Sequence, residues 1–482
     1  MDKGISKDAW ISLIILSSIS LLTMYSETML LPAIPDLVKD FKITYNASSW
    51  ILTAYLITGA IMTPIAGKLS DVYGKKKVLV IIMAIYIVGT LLGSLSFDFV
   101  LMVLSRIIQG LGLAMFPVAF GIIREKFSEE KLAIGQGIFT ALFSGGAIIG
   151  LGIGASIIEY LGWRMIFITV IPFTIALFFV IIKYVHVCNG MLHYKAEHNI
   201  IDVKGSLILI IMTASFLVSL TLLPNFVMAY EKNDSIIIII VILLFILSAV
   251  LLPLFITVQR NSNAPLINIQ LLKDSILLPT NVLIMTIGIS IFIIYQSIPI
   301  LIQSPQPLGF GGSPVDAASV QLPFMILSFV ISVCSGFLIS KIGNLKPTIM
   351  GCLITTIGFL LILIYHSNEF IIAIDLSVIA VGLSLAEIGA FNIILVCSPF
   401  HLSGTSVGIT MLLFLIGMAI GPAISGIYLQ VFQSSTQGIE GSFPSSFSYV
   451  MIFLTAMIVS ILSLILILFV SKLLAHKISL KG

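Results

Sequence analysis

The chain has 482 residues, of which 59% are hydrophobic and 9% are charged, and its formal net charge is +3. Soluble domains carry about 25% charged residues, and a chain this apolar has too few polar residues to cover its surface in water. The composition therefore excludes a soluble protein. The sequence has no basic block that would predict a nucleic-acid partner, and the spacing of its four cysteines predicts no metal or redox site.

The predicted elements are membrane-spanning helices, because apolar runs of about 20 residues, the length of one crossing, recur along the chain. The first run lacks the cleavage site of a signal peptide and is counted as a span. No segment is long enough for a folded soluble domain, and the phosphate-binding loop of an ATP-driven pump is missing from the sequence. We predict an all-α integral membrane protein with fourteen spans: Trp10–Leu31, Ser48–Gly67, Val78–Leu95, Phe99–Ile123, Leu132–Ile158, Met165–Val185, Ser206–Val227, Ser235–Val258, Leu277–Leu301, Gln321–Ile339, Thr348–Tyr365, Phe370–Cys397, Thr405–Val431 and Phe447–Leu474.

Lysine and arginine residues give the orientation of these spans, since they concentrate in cytoplasmic loops. With the N-terminus inside, the cytoplasmic segments hold 19 of the 24 basic residues, the external segments hold 4, and the remaining one, Arg106, lies within a span. An even number of spans then places the C-terminus inside as well. We predict a multi-pass protein of the plasma membrane with both termini in the cytoplasm.

The connection between spans two and three has a distinctive pattern, G-K-L-S-D-V-Y-G-K-K-K over residues 67–77. Its glycines allow a tight turn and a close approach of helices, and Asp71 can cap the N-terminus of an opposing helix or pair with a base. The pattern resembles the signature loop of the major facilitator superfamily, with Val72 in place of a basic residue. The resemblance implies two helical bundles, and it implies a role in gating or conformational change for Gly67, Asp71, Gly74 and Lys75.

Span one contains Glu27 among apolar neighbours, where a carboxyl group could carry a proton; the alternative is a glutamate that faces outer water. Span four contains Arg106, and an arginine within a span costs about 2.5–3.5 kcal/mol on insertion scales, so it should face a cavity or a partner. The alternative for Arg106 is tethering to backbone carbonyls. With a rise of 1.5 Å per residue, both side chains lie roughly 8–11 Å below the outer surface. We hypothesise that they share one cavity, in which Arg106 tunes the proton affinity of Glu27.

The surroundings of these two residues resemble known motifs. The stretch from Arg106 to Ala114, R-I-I-Q-G-L-G-L-A, is similar to span four of proton-coupled members of the superfamily, in which the arginine is linked to proton transfer. The stretch from Tyr25 to Pro35 resembles the D-x-T and A-L-P of the fourteen-span drug:proton antiporter branch. This resemblance implies proton-coupled export.

Span five is rich in glycines, among them Gly150 and Gly154, which permit close helix packing. The region resembles the antiporter motif of the same branch and implies a part in the conformational change for both residues; plain packing is the alternative. Leu151 stands where the antiporter motif has a proline. That difference keeps proton-coupled import open as an alternative.

Span twelve carries two carboxylates, Glu387 toward its cytoplasmic half and Asp375 nearer its outer end. We expect Glu387 to be a second protonation or cation-binding group; a structural hydrogen bond to a neighbouring helix is the alternative. Asn392, on the same span, is a candidate polar anchor for a substrate. Asp375 is expected to be solvated.

Two junctions indicate how fourteen spans relate to the usual twelve of the superfamily. Asp202–Gly205, before span seven, and Pro265–Leu271, before span nine, resemble the corresponding junctions of the fourteen-span branch. Spans seven and eight are therefore the inserted pair. The predicted division is a six-helix bundle over 1–186, a cytoplasmic linker with the inserted helices over 187–260, and a second six-helix bundle over 261–482.

The leading interpretation is a proton-coupled secondary transporter that exports small amphipathic or cationic compounds by alternating access. Its partners are the substrate, protons and the lipid bilayer; we expect no cofactor, no metal, no enzymatic activity and a functional monomer. The alternatives are a proton symporter or facilitator that imports a small metabolite, and a membrane sensor or scaffold that transports nothing. The predicted proton-coupling residues are Glu27, Arg106 and Glu387. The predicted substrate-binding residues are Tyr25, Glu27, Asn392 and Glu387.

Overall fold

The computed structural model describes residues 5–30, 33–43, 45–185, 202–231, 235–262, 264–435 and 442–479. The predicted linker residues 187–201 lie outside this part of the chain. The first half consists of helices joined by short connections: α1 (Lys7–Thr28), α2 (Ile34–Phe41), α3 (Tyr45–Tyr73), α4 (Lys75–Ser94), α5 (Phe99–Gly110), α6 (Met115–Lys126), α7 (Leu132–Leu161) and α8 (Arg164–Tyr184). A 3₁₀ turn, Leu111–Ala114, joins α5 to α6, so that the two cross the membrane as one span.

The second half continues with α9 (Val203–Glu231), α10 (Ser235–Asn261), α11 (Ile269–Leu272), α12 (Leu277–Gln303), α13 (Pro314–Ile342), α14 (Leu345–Ile364), α15 (Glu369–Cys397), α16 (Ser403–Val431) and α17 (Ser446–Ser479). Two short strands, β1 (Gln433–Ser435) and β2 (Ser442–Pro444), pair antiparallel between α16 and α17. Polar caps begin several helices. Ser313 and Asp316 form a reciprocal capping box at the start of α13, and Asp98 accepts the Leu101 N–H at 2.7 Å at the start of α5.

The described residues contain fourteen helices that are long and apolar enough to cross a membrane, which confirms the predicted number. The connection between spans two and three is shorter than predicted. The helix α3 continues to Tyr73 and α4 begins at Lys75, so that Asp71 is a helical residue. Gly74 alone reverses the chain, with φ at 93°, a left-handed value that favours glycine.

The helices form two bundles of six spans. In the first bundle α1 packs on α7, α4 on α8 and α3 on α5; in the second α12 packs on α16, α14 on α15 and on α17, and α13 on α15. The inserted hairpin consists of α9 and α10. The helix α9 packs against α3 of the first bundle and α16 of the second, whereas only a small part of α10 is buried in the protein.

The two bundles meet along two seams, one between α3 and α16 and the other between α7 and α13. We call the end where α1 begins and α17 ends the terminal end, and the opposite end the distal end. Both seams are tight toward the terminal end. A Cβ added at Gly408 would lie 2.7 Å from the Thr63 carbonyl oxygen, and one added at Gly137 would lie 2.5 Å from that of Ser332. Glycines thus permit backbone contact between the bundles there.

Candidate functional site

A cavity of about 1350 Å³ lies between the bundles. Its walls come from α1, α3, α6 and α7 of the first bundle, from α12, α13, α15 and α16 of the second, and from the inserted helix α9. Phe120 and Phe391, one from each bundle, stack with ring centroids 5.5 Å apart at its deepest point. The cavity is therefore closed toward the terminal end and widens toward the distal end. Its walls are mostly apolar, as in sites that bind small molecules.

Glu27 and Arg106, predicted to share a cavity, form an ion pair. The Arg106 side chain is fully buried, and its second Nη group donates to the Glu27 carboxylate. The other donors of Arg106 reach Gln109 Oε1 at 2.6 Å and the Ile51 carbonyl oxygen at 3.0 Å, and the guanidinium lies 4.5 Å from the Tyr55 ring centroid. Arg106 therefore has both of the expected interactions, an ion pair with a carboxylate and a hydrogen bond to a backbone carbonyl group. Glu27 lines the cavity and Arg106 lies behind it.

Glu387 also lines the cavity, on the wall formed by α15. Among the residues that the structure describes, it has no hydrogen-bond partner and no ion-pair partner, and Tyr295 lines the same cavity. Phe391, one turn further along α15, makes an edge-to-face contact with Phe414 at 6.0 Å. The cavity thus contains two carboxylates, Glu27, which is neutralised by Arg106, and Glu387, which is unpaired within the described residues. Aromatic rings line its deepest part.

The structure does not place Tyr25 and Asn392, two of the predicted substrate-binding residues, at the cavity wall. Tyr25 precedes Glu27 by two residues, about 200° around an α-helix, and packs in a cluster with Met29 and Trp163. Asn392 follows Phe391 by one residue, about 100° around α15, and its Nδ2 donates to Asn344 Oδ1 at 2.7 Å. Both residues have the predicted depth but face away from the cavity.

Asp375 also departs from its prediction, because it is buried rather than solvated, with 4% of its surface exposed. Ile379, one turn further along the same face of α15, packs on Gly358 of α14. Asp375 therefore faces the inside of the second bundle. Its Oδ2 has no hydrogen-bond partner within the described residues.

Asp71 joins the bundles at the terminal end. Its carboxylate accepts hydrogen bonds from the Gly404 N–H at 3.0 Å, the Thr405 N–H at 2.7 Å and the Thr405 hydroxyl at 2.8 Å. It therefore caps the N-terminus of α16, where a carboxylate interacts well with the helix dipole. Lys75 lies 3.9 Å from Asp71 and 2.5 Å from the Glu125 carboxylate, so that three charged groups converge at this contact.

The remaining predicted gating residues are glycines at close helix contacts. A Cβ added at Gly67 would collide with the Gly404 carbonyl group across the α3–α16 seam. Gly150 and Gly154 instead face α1, where an added Cβ would lie 2.8 Å from the Tyr25 carbonyl oxygen and 2.9 Å from the Met29 Cα. Gly67 thus lies between the bundles, whereas the two span-five glycines pack within the first bundle.

Arg124 forms a second connection at the terminal end that the sequence did not reveal. Its guanidinium donates to the Ser398 carbonyl oxygen at 2.7 Å and to that of Pro399 at 3.4 Å, and it lies 5.4 Å from the centre of the Phe400 ring. Arg124 lies in the last turn of α6 of the first bundle, and its acceptors lie between α15 and α16 of the second. In the sequence it is one of many basic residues that follow a span, so no signal distinguished it.

The inserted helix α9 contributes to the cavity, which the sequence also did not reveal. Leu217, Leu220, Thr221 and Pro224 line it, at the spacing of one helix face. The base of the hairpin is fixed by a side-chain network: the Asp202 carboxylate accepts from Gln259 Nε2 at 2.7 Å, and Gln259 Oε1 accepts the Ile267 N–H at 2.9 Å.

The sequence profile of the Major Facilitator Superfamily matches residues 16–422. Multidrug resistance protein 3 of Bacillus subtilis (strain 168) is 24% identical over 365 residues, which are 75% of this chain and 68% of that protein. Multidrug resistance protein Stp of Mycobacterium tuberculosis (strain CDC 1551 / Oshkosh) is 23% identical over 408 residues, which are 84% of this chain and 73% of that protein. The structure of the human organic anion transporter MFSD10 (TETRAN) covers 95% of this chain and 99% of its own, with a TM-score of 0.69 and 14% identity, and thus shares the fold.

The chain belongs to the Major Facilitator Superfamily. It is a multi-pass membrane transporter and not an enzyme, as expected from the sequence. Transporters of this superfamily bind small-molecule substrates within the membrane. The cavity between the bundles is therefore the candidate substrate site.

Proposed function

We propose that this transporter exports small amphipathic compounds with one positive charge, in exchange for protons. The observation that carries the proposal is the charge of the cavity. Glu27 is neutralised by Arg106, and Glu387 is unpaired within the described residues, so the ionised cavity has a net charge of −1. A monovalent cation cancels this charge, and aromatic faces next to a carboxylate favour an organic cation. The names of the two multidrug resistance relatives support a drug-like substrate.

Proton coupling follows from the position of Glu27 between the cavity and Arg106. A proton on Glu27 removes the carboxylate that balances Arg106, so the arginine then repels a cation in the cavity. Arg106 keeps its bonds to Gln109 and to the Ile51 carbonyl group and stays in place to re-form the ion pair. Proton binding and cation binding are therefore antagonistic, which is the requirement for exchange.

The orientation belongs to the same proposal. We place the terminal end, and with it both chain termini, in the cytoplasm of a cell whose plasma membrane holds the protein, because basic residues concentrate there. The described conformation then faces outward. An inward-facing state requires separation of Asp71 from the start of α16 and of Arg124 from the α15–α16 connection, while the bundles rock about the cavity. We propose that 1–186 and 261–482 move as the bundles, that 187–260 forms the linker and insert, and that the monomer is the functional unit.

The test is flux in vesicles that contain the purified protein in inverted orientation. An acidic lumen should drive uptake of ethidium, a fluorescent monovalent cation. Glu27→Gln should abolish the effect of the pH gradient, because no carboxyl group remains beside Arg106. The matched control is Glu159→Gln, which removes a carboxylate at the exposed distal end of α7. Full proton coupling in Glu27→Gln would refute the role of Glu27, and movement of ethidium with protons would identify an importer instead.

A double variant separates charge from coupling. Glu27→Gln alone leaves Arg106 unbalanced and raises the cavity charge to zero, so cation binding should weaken. Adding Arg106→Gln restores a net charge of −1. Ethidium binding should then recover in part, while the response to a pH gradient should remain lost. Recovery of both properties would show that the proton site is elsewhere.

A further inference from the structure

The two seams between the bundles differ in their distal halves. The inserted helix α9 packs against both α3 and α16, with Pro224 against Gly426, and so covers that seam on the membrane side. The seam between α7 and α13 has no comparable cover among the described elements: α7 packs mainly on α1 and α13, and α13 mainly on α7 and α15. Only one side of the distal cavity is therefore shielded from lipid by the insert.

The α13 side of this seam belongs to the cavity and to the membrane surface at the same time. Leu322 lines the cavity, yet 43% of its surface is exposed. It continues into an apolar stripe with Ile326 and Val330, which are similarly exposed on the surface that faces lipid. Val315, the second residue of α13, lines the cavity and is 75% exposed.

On the α7 side of this seam, the border between the cavity and the membrane surface lies at Gly152. This residue lines the cavity and is exposed, and a Cβ added there would meet no atom within 4 Å. Gly150 and Gly154, in contrast, are pressed against α1. Ile149 and Ile153, next to Gly152 on the helix surface, are exposed apolar residues that face lipid. The absence of a side chain at position 152 thus leaves open space where cavity and membrane meet.

The opening ends where the two helices cross toward the terminal end. A Cβ added at Gly145 would lie 3.1 Å from the Phe329 ring, and one added at Gly336 would lie 2.5 Å from the Ala133 carbonyl oxygen. The seam is therefore closed from this level to the terminal end, and the opening lies only at the depth of the distal leaflet.

We propose that the gap between Gly152 of α7 and Val315–Leu322 of α13 is a lateral portal to the apolar layer of the distal leaflet. It rests on the proposed function, since it gives the route by which a transported cation leaves. A cation with a long apolar tail can pass through it with the tail in lipid throughout, and the apolar surface of the tail is never exposed to water. A compact, water-soluble cation instead leaves through the distal mouth. The portal thus widens the substrate class to membrane-embedded amphiphiles.

The transport test fills the portal without changing the cavity charge. A Cβ added at position 152 meets no atom of the described residues within 4 Å, and Gly152→Trp should reduce proton-driven transport of trimethylammonium-diphenylhexatriene, a cation held in the bilayer, by at least about tenfold. Ethidium transport should fall less, so that the ratio of the two fluxes changes at least about fivefold, and Gly152→Ala should change this ratio by less than about twofold. Leu322→Trp, on the opposite side, should reproduce the selective loss. Equal loss of both substrates, or no loss of either, would overturn the portal, and the ethidium flux reports separately on the proposed function.

A second test needs no transport. In a variant with its native cysteines replaced by serine, a fluorophore is attached to Gly152→Cys and quenched with lipids brominated along their acyl chains. The control is Thr140→Cys, three turns deeper on α7, which also lines the cavity. We expect strong quenching at position 152 and weak quenching at position 140. Equal quenching at the two positions, or protection of position 152, would contradict the portal even if transport were fully proton-coupled.

Discussion

Neutralisation of Glu387 provides the sharpest test of the charge argument. The substitution Glu387→Gln keeps the size of the side chain and removes the one carboxylate of the cavity that is unpaired within the described residues. The cavity charge changes from −1 to zero, while the ion pair of Glu27 and Arg106 stays intact. Any loss of cation affinity then reports on charge and not on the proton site.

The size of the loss follows from Coulomb's law. Two unit charges 4 Å apart interact by about 4 kcal/mol at an effective dielectric constant of 20. Glu387 is only partly buried, so less than half of this energy should be realised, about 1.5–2 kcal/mol. That energy corresponds to an increase in the ethidium Kd of about 10- to 30-fold.

The assay is equilibrium binding of ethidium to purified protein in lipid nanodiscs, without any gradient. Glu387→Asp keeps the charge and should stay within about threefold of the wild type, a free-energy change below that of one tenfold step. Glu159→Gln should have no effect, because Glu159 lies outside the cavity. An unchanged Kd in Glu387→Gln, with the thermal unfolding midpoint also unchanged, would refute the assignment of Glu387 as the counter-ion of the substrate.

Propidium extends the same prediction, because it shares the ring system of ethidium and carries two positive charges. A cavity with a net charge of −1 leaves the second charge unbalanced, and propidium should bind at least about tenfold more weakly than ethidium. Gln296 lines the cavity and is exposed to it, so Gln296→Glu adds a second negative charge. This variant should bind propidium more tightly than the wild type. Equal affinity for the two dyes in the wild type would contradict the charge count.

Three further outcomes concern the contacts between elements. Gly67→Val should lower transport at least about tenfold, because its side chain collides with the Gly404 carbonyl group and hinders closure of the terminal end; flux measurements check this. Arg124→Ala should shift the population toward the state that is open at the terminal end, by about 1–3 kcal/mol, as spin-label distances across that end would show. Gln259→Leu should lower the thermal unfolding midpoint, because it removes the hydrogen bonds of Gln259 to the Asp202 carboxylate and to the Ile267 N–H. The expected loss in the free energy of unfolding is about 2–4 kcal/mol, and the exposed Gln270→Leu is the control.

Depth in the membrane could be predicted from the sequence. The spans are counted by their apolar length, and the rise per residue placed Glu27 and Arg106 at one level, where the structure joins them. Asp71, a carboxylate at a helix junction, was expected to cap an opposing helix or to pair with a base, and it caps α16 and lies 3.9 Å from Lys75. These successes depend on length, charge and local motif, all of which the linear sequence contains.

Rotation about the helix axis could not be predicted. A span in lipid is apolar on the side that faces the membrane and on the side that faces its neighbours, so hydrophobic periodicity does not distinguish them. The structure places Tyr25 and Asn392 at the predicted depth but away from the cavity wall. The contribution of α9 to the cavity and the role of Gly152 depend on which helices meet at each seam, and this becomes visible only in the fold.

The charge count also predicts the stoichiometry of exchange. With its cation bound, the cavity is neutral, and with one proton in place of the cation it is neutral again, whichever carboxylate takes the proton. A charge that moves through the low-dielectric interior without compensation is costly, so these two neutral states are the ones that should cross between the open conformations. One proton per monovalent cation moves no net charge. We therefore expect proton-driven ethidium flux to be unaffected when valinomycin and potassium ions set the membrane potential. A strong dependence on the potential would show that a second proton crosses and that Glu27 and Glu387 are protonated together.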